Sequence, residues 1–336
     1  MTGLERTFKF INHEKVDRPP LHPIIMLFAA NYAGIPYSKF VLEAPCKAKA
    51  MIKCADDFGL DWVTVMSDPY CEADDFGLPV EYVYDNLPKH TDYLIKDIED
   101  INKLTVPDPY TSKRMSNRIK EVEIMSKEVG DKYFVLGWAE GSCAEYSDLR
   151  GLSEMCIDFF EYEKELNIAM DIILETTIKS AQAQVKAGAH CIGIGDAVCS
   201  QIGPKFYKMF GFEREKALVS AIQDTGALVK LHICGDTTDI LPDMIATGAN
   251  IVDVDHMMAD MSRFVPLLSD KQVLSGNSDP VEIIYRGNKD IMEHSVKVCM
   301  EQTCGRGIIS AGCEIPIQTT IENFHTYCGI AHNQKL

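Results

Sequence analysis

Three side chains carry the donor chemistry of a reactive metal centre. His232 and Cys234 lie in LVKLHICGD, and Cys313 lies in IISAGCEIP. Two thiolates and one imidazole suit zinc, and three protein ligands leave one coordination position open for a reactant. Each motif follows directly on a short apolar run that reads as a β-strand. In an extended segment, residues i and i+2 point the same way, so His232 and Cys234 can face a common axis. Cys313 is distant along the chain and must be brought in by the fold. Asp255, Asp196 and Glu140 are candidates for a fourth resting ligand, or for the group that orients His232. The competing reading is a packed core histidine beside two buried thiols.

The elements that would position these groups alternate along the chain. Candidate strands are His22–Met26, Trp62–Met66, Tyr133–Leu136, His190–Ile194, Leu228–His232, Ile251–Val254, Gln272–Leu274 and Gly307–Ser310. Between them, Ala44–Phe58, Thr111–Val129, Tyr162–Ala187, Glu213–Thr225, Asp239–Thr247 and Asn288–Thr303 carry apolar residues at three- and four-residue spacing. FGLD, KAGAH, DTGAL and ATGAN each place glycine where a helix must turn back into a strand. Eight such units predict an α/β protein, a closed (β/α)₈ TIM barrel, rather than an open doubly wound sheet. The latter would carry a glycine fingerprint after its first strand, and none is present. The expected organisation is one barrel domain over residues 1–336, with an N-terminal helix at 3–14. An insertion over about 69–131, between strands two and three, contains a hairpin signalled by the alternation in LPVEYVYDN.

Catalytic groups of such a barrel project from the C-terminal strand ends. Reading along those ends gives Asp68 and Glu72, then Trp138 and Glu140, then Asp196, the His232–Cys234 pair, Asp255 and His256, Asn277 and Asp279, and finally Cys313 and Glu314. A single polar residue there is ordinarily a cap or turn residue, but seven of eight ends bearing acid, thiol, imidazole or amide groups point to a site at this rim.

Composition narrows the partners. The 336-residue chain has a formal net charge of -17 and 46% hydrophobic residues. That acidity argues against nucleic acid and against anionic membrane surfaces. The charged start MTGLERTFKFINHEK has no apolar signal region, and Leu21 to Tyr37 is interrupted by His22, Pro23, Asn31 and Pro36, so no spanning helix is expected. A cytoplasmic protein with reduced thiols is the expectation. Most of the 12 cysteines, Cys54, Cys156, Cys191 and Cys299 among them, read as small packed hydrophobes.

The chain resembles the uroporphyrinogen decarboxylase superfamily through HEKVDRPPLHP, VTVMSDPYCEADDFGLPVE, EGSCAEYSDLRG, KAGAHCIGIGDAVCS, LHICGDTTDILPDMIATGANIVDVD, LSGNSDP and SAGCEIPIQTTIENF. The resemblance implies a (β/α)₈ barrel. It also separates two branches. The metal-free decarboxylases carry arginines after the first strand to hold porphyrinogen carboxylates, whereas PIIMLFAANYAG here has none. Asp68 in MSDPY does match the aspartate that faces the pyrrole nitrogens in that branch. The zinc-dependent, corrinoid-linked methyltransferases carry His-x-Cys and a distant Cys as zinc ligands, and His232, Cys234 and Cys313 match all three.

The resemblance therefore implies Zn²⁺ as cofactor and a separate corrinoid methyl-carrier protein as partner, docked over the barrel mouth. The small-molecule substrate is a methyl donor or acceptor. GCEIP and EGSCAEYSDLRG resemble the demethylase-type members, which take methyl from a methylated or methoxylated aromatic compound. A methylcorrinoid:thiol (coenzyme M-type) enzyme is the alternative, and a metal-free decarboxylase the second. In the demethylase reading, Glu140, Asp196 or Asp68 passes a proton to the leaving group. Trp138 and Tyr70, with Phe28, form an aromatic lining, and Asn277 and Asp255 complete the substrate-binding set. Related barrels can pair, so a homodimer is an expected assembly.

Overall fold

The computed structural model describes residues 1–335. Seven strands form one parallel sheet: β1 (Trp62–Thr64), β4 (Phe134–Glu140), β5 (Cys191–Gly195), β6 (Leu228–Ile233), β7 (Ile251–Val254), β8 (Val273–Ser278) and β9 (Gly307–Ala311), hydrogen-bonded in that order. Every residue of β4, β5, β7 and β9 is buried. Strands covered on both faces read as continuous apolar runs, which is why these segments were recognisable.

The expected first strand, His22–Met26, does not form a ladder. Its place is taken by the segment from Pro20 to Ile24, which closes the sheet into the barrel through isolated parallel bridges, Leu21 to Ile309 and Ile24 to Glu314. The His22 N–H donates to the Ile309 carbonyl at 2.9 Å, the Ile309 N–H to that of Pro20 at 2.9 Å, and on the other side the Asp61 N–H to that of Leu21 at 3.1 Å. Proline has no N–H, so Pro19, Pro20 and Pro23 leave gaps in any ladder built here.

The helices follow their expected spans, with trimmed ends. Ala44–Phe58 is as expected; the others run Lys113–Val129, Glu163–Lys186, Phe212–Gln223 and Lys289–Gln302, and the fifth shortens to Leu241–Ala246. Gly59, Gly188, Gly226 and Gly248, the four helix-stop glycines, all adopt positive φ, the left-handed turn that only glycine makes without strain. The N-terminal helix is Gly3–Ile11, opened by a Thr2–Glu5 capping box, and is shorter than the expected 3–14. The 69–131 insertion holds a helix at Cys71–Phe76, an antiparallel hairpin of β2 (Val80–Glu81) with β3 (Lys89–His90), a 3₁₀ segment at Ile98–Lys103 and the helix Lys113–Val129. No helix among the described residues is long and apolar enough to cross a membrane.

Asp61 ties the bottom of the barrel together. Its carboxylate pairs with the Arg6 guanidinium, accepts from Arg18 Nη1 at 2.7 Å, and accepts the Leu21 N–H at 2.7 Å. The N-terminal helix, the closing segment and the start of β1 thereby meet at one carboxylate that is 1% exposed. Removing one partner from a buried ion pair leaves an uncompensated charge. Asp61→Ala should therefore cost about 3–5 kcal/mol of stability, read as a lower midpoint in urea unfolding.

Candidate metal centre and active site

β6 ends by delivering His232, and Cys234 follows in the turn at Gly235. That turn is pinned by Asp255, whose Oδ2 accepts the Gly235 N–H at 2.8 Å. Cys313 arrives from the opposite direction. After β9 the chain turns at Gly312, whose N–H donates to the Ser278 carbonyl at 2.8 Å. A Cβ on Gly312 would lie 2.1 Å from the His256 nitrogen, so only glycine lets this loop approach the end of β7 closely enough to carry Cys313 inward.

The three side chains converge. His232 Nε2 lies 3.0 Å from Cys234 Sγ, and Cys234 Sγ lies 3.7 Å from Cys313 Sγ. All three donor atoms fall within 4.8 Å of one another. His232 is buried, and both cysteines are half-buried at the mouth. The donor set fits a soft divalent cation with access from the open end of the barrel.

The imidazole is oriented by Asp253. β6 and β7 pair with His232 opposite Asp253, and His232 Nδ1 lies 2.7 Å from Asp253 Oδ2. Lys230 Nζ sits 3.2 Å from the same oxygen. Burial opposes ionisation of Asp253, but Lys230 and His232 outweigh it and hold the carboxyl well below the usual range. A fixed anion at Nδ1 keeps a proton there and presents Nε2 to the thiol pair. Burial would lower the His232 pKa, yet Asp253 and Cys313 push it up to about 9. Of the two thiols, Cys313 is the one that ionises. The Cys234 hydrogen bond brings it down to about 5 against the opposing effect of burial, with help from His232. Cys234 moves the other way, through Cys313 and burial. Asp253 and Lys230 escaped the sequence reading. The available signal was a charged residue inside each of two otherwise apolar strands, IVDV and LVKL.

The remaining expected residues divide. Trp138 is buried with its ring centroid 6.5 Å from that of His232, and its Nε1–H donates to Glu140 Oε1 at 2.7 Å. Burial and the nearby Glu72 raise Glu140 well above the ordinary carboxyl range, against the opposing effects of Arg118 and the Trp138 N–H. Asp68 is a different case. It takes both nitrogens of Arg114, at 2.7 and 3.3 Å, and the Ser67 hydroxyl at 2.7 Å. Although buried, it is held well below its usual range by Arg114, so it is a charged strut and not a proton carrier. Arg118, from the same helix Lys113–Val129, pairs with Glu72 at 3.3 Å. Cations therefore do reach this region, from the insertion and not from the segment after the first strand.

Asp196 does not face His232. Its Oδ1 accepts the Ala144 N–H at 2.7 Å, at the start of the helix Ser142–Arg150. Asp255 holds the Gly235 turn through Oδ2, and its Oδ1 lies against the His256 ring. Asn277 Nδ2 donates to the carbonyls of Met258 at 2.6 Å and Asp255 at 3.2 Å, lashing β8 to the loop after β7. Tyr70 is half-buried and meets His90 of the hairpin edge-on, ring centroids 5.7 Å apart. Phe28 packs into the core against Phe58 and Phe324. Cys54, Cys191 and Cys299 are buried as expected, whereas Cys156 is exposed because it falls on the outer face of the helix Leu152–Glu161.

The chain belongs to the uroporphyrinogen decarboxylase (URO-D) family, which matches it over residues 2–334. The methylcobamide:CoM methyltransferase MtbA of Methanosarcina mazei is 27% identical over 342 residues, 99% of this chain and 98% of that one. The uroporphyrinogen decarboxylase of Carboxydothermus hydrogenoformans is 21% identical over 282 residues, 82% of this chain and 79% of that one. A solved structure, a methyltransferase from Methanosarcina mazei, superposes with a TM-score of 0.89 at 22% identity, covering 98% of each chain. That likeness establishes the fold.

The acids beside the mouth generate a pH prediction. Burial, with Asp68 adding to it, raises Asp148 to about 8, against about 4 in an unfolded chain. The native state then holds a proton that the unfolded chain releases, so stability falls as pH climbs from about 4 to about 8. Asp148→Asn should flatten that slope in urea unfolding measured across the window, whereas an unchanged slope would assign the residue an ordinary pKa.

Proposed function

We propose that this chain is a corrinoid-dependent methyltransferase in which zinc, held by His232, Cys234 and Cys313, binds the heteroatom of a small substrate. The carrying observation is the convergence of an imidazole and two thiols at the C-terminal mouth, with the imidazole fixed from behind by Asp253. When bound, zinc supplies Lewis acidity, which removes the proton from a coordinated thiol at neutral pH. The chain's own residues do the rest. Asp253 holds His232 in the tautomer that offers Nε2, the Asp255–Gly235 contact fixes the turn that aims Cys234, and Gly312 sets the approach of Cys313. A corrinoid methyl-carrier protein docks over the open end.

The first direction is methyl transfer from methyl-cobalt to a thiol. The cobalt–carbon bond breaks with its electron pair left on cobalt as Co(I), the sulfur–carbon bond forms, and the thiol proton is released. The full-length similarity to a methylcobamide:CoM methyltransferase supports this direction over the demethylase direction that the strand-end motifs suggest. A second reading, methyl transfer from a methoxylated aromatic compound to Co(I), is favoured by one feature. Glu140 is a buried carboxyl raised well above its ordinary range beside the Trp138 indole, a shift that suits it to protonating a departing phenolate. Porphyrinogen decarboxylation is poorly supported, because Arg114 and Arg118 are both engaged by carboxylates of this chain.

Zinc-loaded enzyme mixed with methylcobalamin and a panel of thiols should discharge the methyl-cobalt absorbance in a thiol-dependent way. The reverse arm uses Co(I) corrinoid and methoxylated aromatics. Cys234→Ser and Cys313→Ser should abolish turnover in whichever arm is active. Silence in both arms, or turnover that survives both substitutions, would refute the proposal. Asp253→Ala should weaken zinc binding by about 10–100-fold, measured by chelator competition, with activity partly restored by excess zinc.

A further inference from the structure

A second group of ligand-type side chains lies wholly inside the protein, around the loops that follow β4 and β5. Cys143 comes from the first turn of the helix Ser142–Arg150, Asp196 stands directly after β5, and Cys199 opens the helix Cys199–Phe206. Their donor atoms lie within 4.8 Å of one another, and all three residues are completely buried. Glu215, from the helix Phe212–Gln223, is also buried and lies against both Asp196 and Cys199. Its Oε2 accepts the Tyr207 hydroxyl at 2.5 Å.

The Asp196 and Glu215 carboxyl groups lie against each other. Asp196 Oδ2 and Glu215 Oε1 are buried and receive no hydrogen bond. Two buried carboxyl groups in contact call for a shared proton or a cation between them. No cationic side chain among the described residues pairs with them, since Arg214, next to Glu215 on the same helix, turns its guanidinium to Asp171 and Asn167. The backbone also closes tightly over the cluster. A Cβ on Gly141 would fall 2.3 Å from Asp196 Oδ2, and one on Gly211 would fall 3.1 Å from Cys199 Sγ.

We propose that Cys143, Asp196 and Cys199, with Glu215 as the fourth group, hold a second divalent cation as a closed structural centre. Two thiolates beside carboxylates select zinc or a metal of similar softness, and four protein groups leave no open position for a reactant. Binding releases the two thiol protons together with any proton held between Asp196 and Glu215. The centre fastens the loops after β4 and β5 to the helix Phe212–Gln223. It also braces the wall behind the mouth, because the Asp196 N–H donates to the His232 carbonyl at 3.1 Å. This centre shares no ligand with the one under Proposed function, so the two stand or fall separately.

The test is a count of metal. Protein reconstituted with excess zinc under reductant and then gel-filtered should contain about two zinc per chain by elemental analysis. Cys143→Ser with Cys199→Ser should lose half of it, and Cys234→Ser with Cys313→Ser the other half. Should the first pair fail to fold, the second pair decides the matter. Loaded with cobalt(II), it should retain one metal and show thiolate-to-cobalt charge-transfer absorption. A Cys234→Ser, Cys313→Ser protein free of metal, or a Cys143→Ser, Cys199→Ser protein with undiminished metal, overturns the proposal. If instead only the first pair abolishes metal, the buried centre stands and the one at the mouth falls.

Discussion

Closure of the parallel sheet is the constraint on which the site depends. β6 and β9 are separated by β7 and β8, so in a flat sheet their ends would stand about 14 Å apart, at about 4.8 Å per strand. In the barrel, Cys234 and Cys313 meet with sulfurs 3.7 Å apart. Curvature and inward-facing side chains make up the difference. The closure itself rests on a proline-broken segment that cannot form a ladder, reinforced by the contacts of Asp61 to Arg6, Arg18 and the Leu21 N–H. The weakest strand position in the barrel thus adds charge to its few backbone hydrogen bonds.

Charge also organises the interior above that level. Lys230, Asp253 and His232 form one buried chain of contacts, Asp68 with Arg114 and Glu72 with Arg118 two more. Ions removed from water are costly unless well paired, and buried pairs are dependable in geometry more than in net stability. Here the geometry is what matters. Asp253 fixes an imidazole, and the two arginines dock the inserted helix Lys113–Val129 against the barrel wall. Glu140, which no cation pairs directly, is raised well above the ordinary carboxyl range by burial. Carboxyl groups shifted in opposite directions thus sit side by side around one mouth: Asp68, held by two nitrogens of Arg114, moves down, and Glu72 and Glu140 move up through burial.

The mouth and the buried cluster around the loops after β4 and β5 form a continuous arrangement. Asp196 belongs to the cluster through its side chain and to the His232 strand through its backbone. A residue that reads as a proton carrier at a strand end instead anchors the wall on which the imidazole stands. Asn277 and Asp255 have comparable positions, each holding a loop next to the reactive groups. Much of the polar rim positions the few side chains suited to chemistry.

Local pattern alone determined a great deal. Apolar runs buried on both faces, helices with three- and four-residue periodicity and four helix-stop glycines were legible because they depend on each segment's own residues. The His232, Cys234 and Cys313 set was legible because its donor chemistry is uncommon and sits at strand ends. The partner of each carboxylate was not. Asp253 lies opposite His232 through the register of two strands, Asp68 meets an arginine from 46 residues downstream, and Asp196 turns toward a helix start instead of the mouth. These choices depend on which residues long-range pairing places next to one another, and side-chain type carries no record of that. The folded barrel therefore decided which acids shift down, which shift up and which face the site.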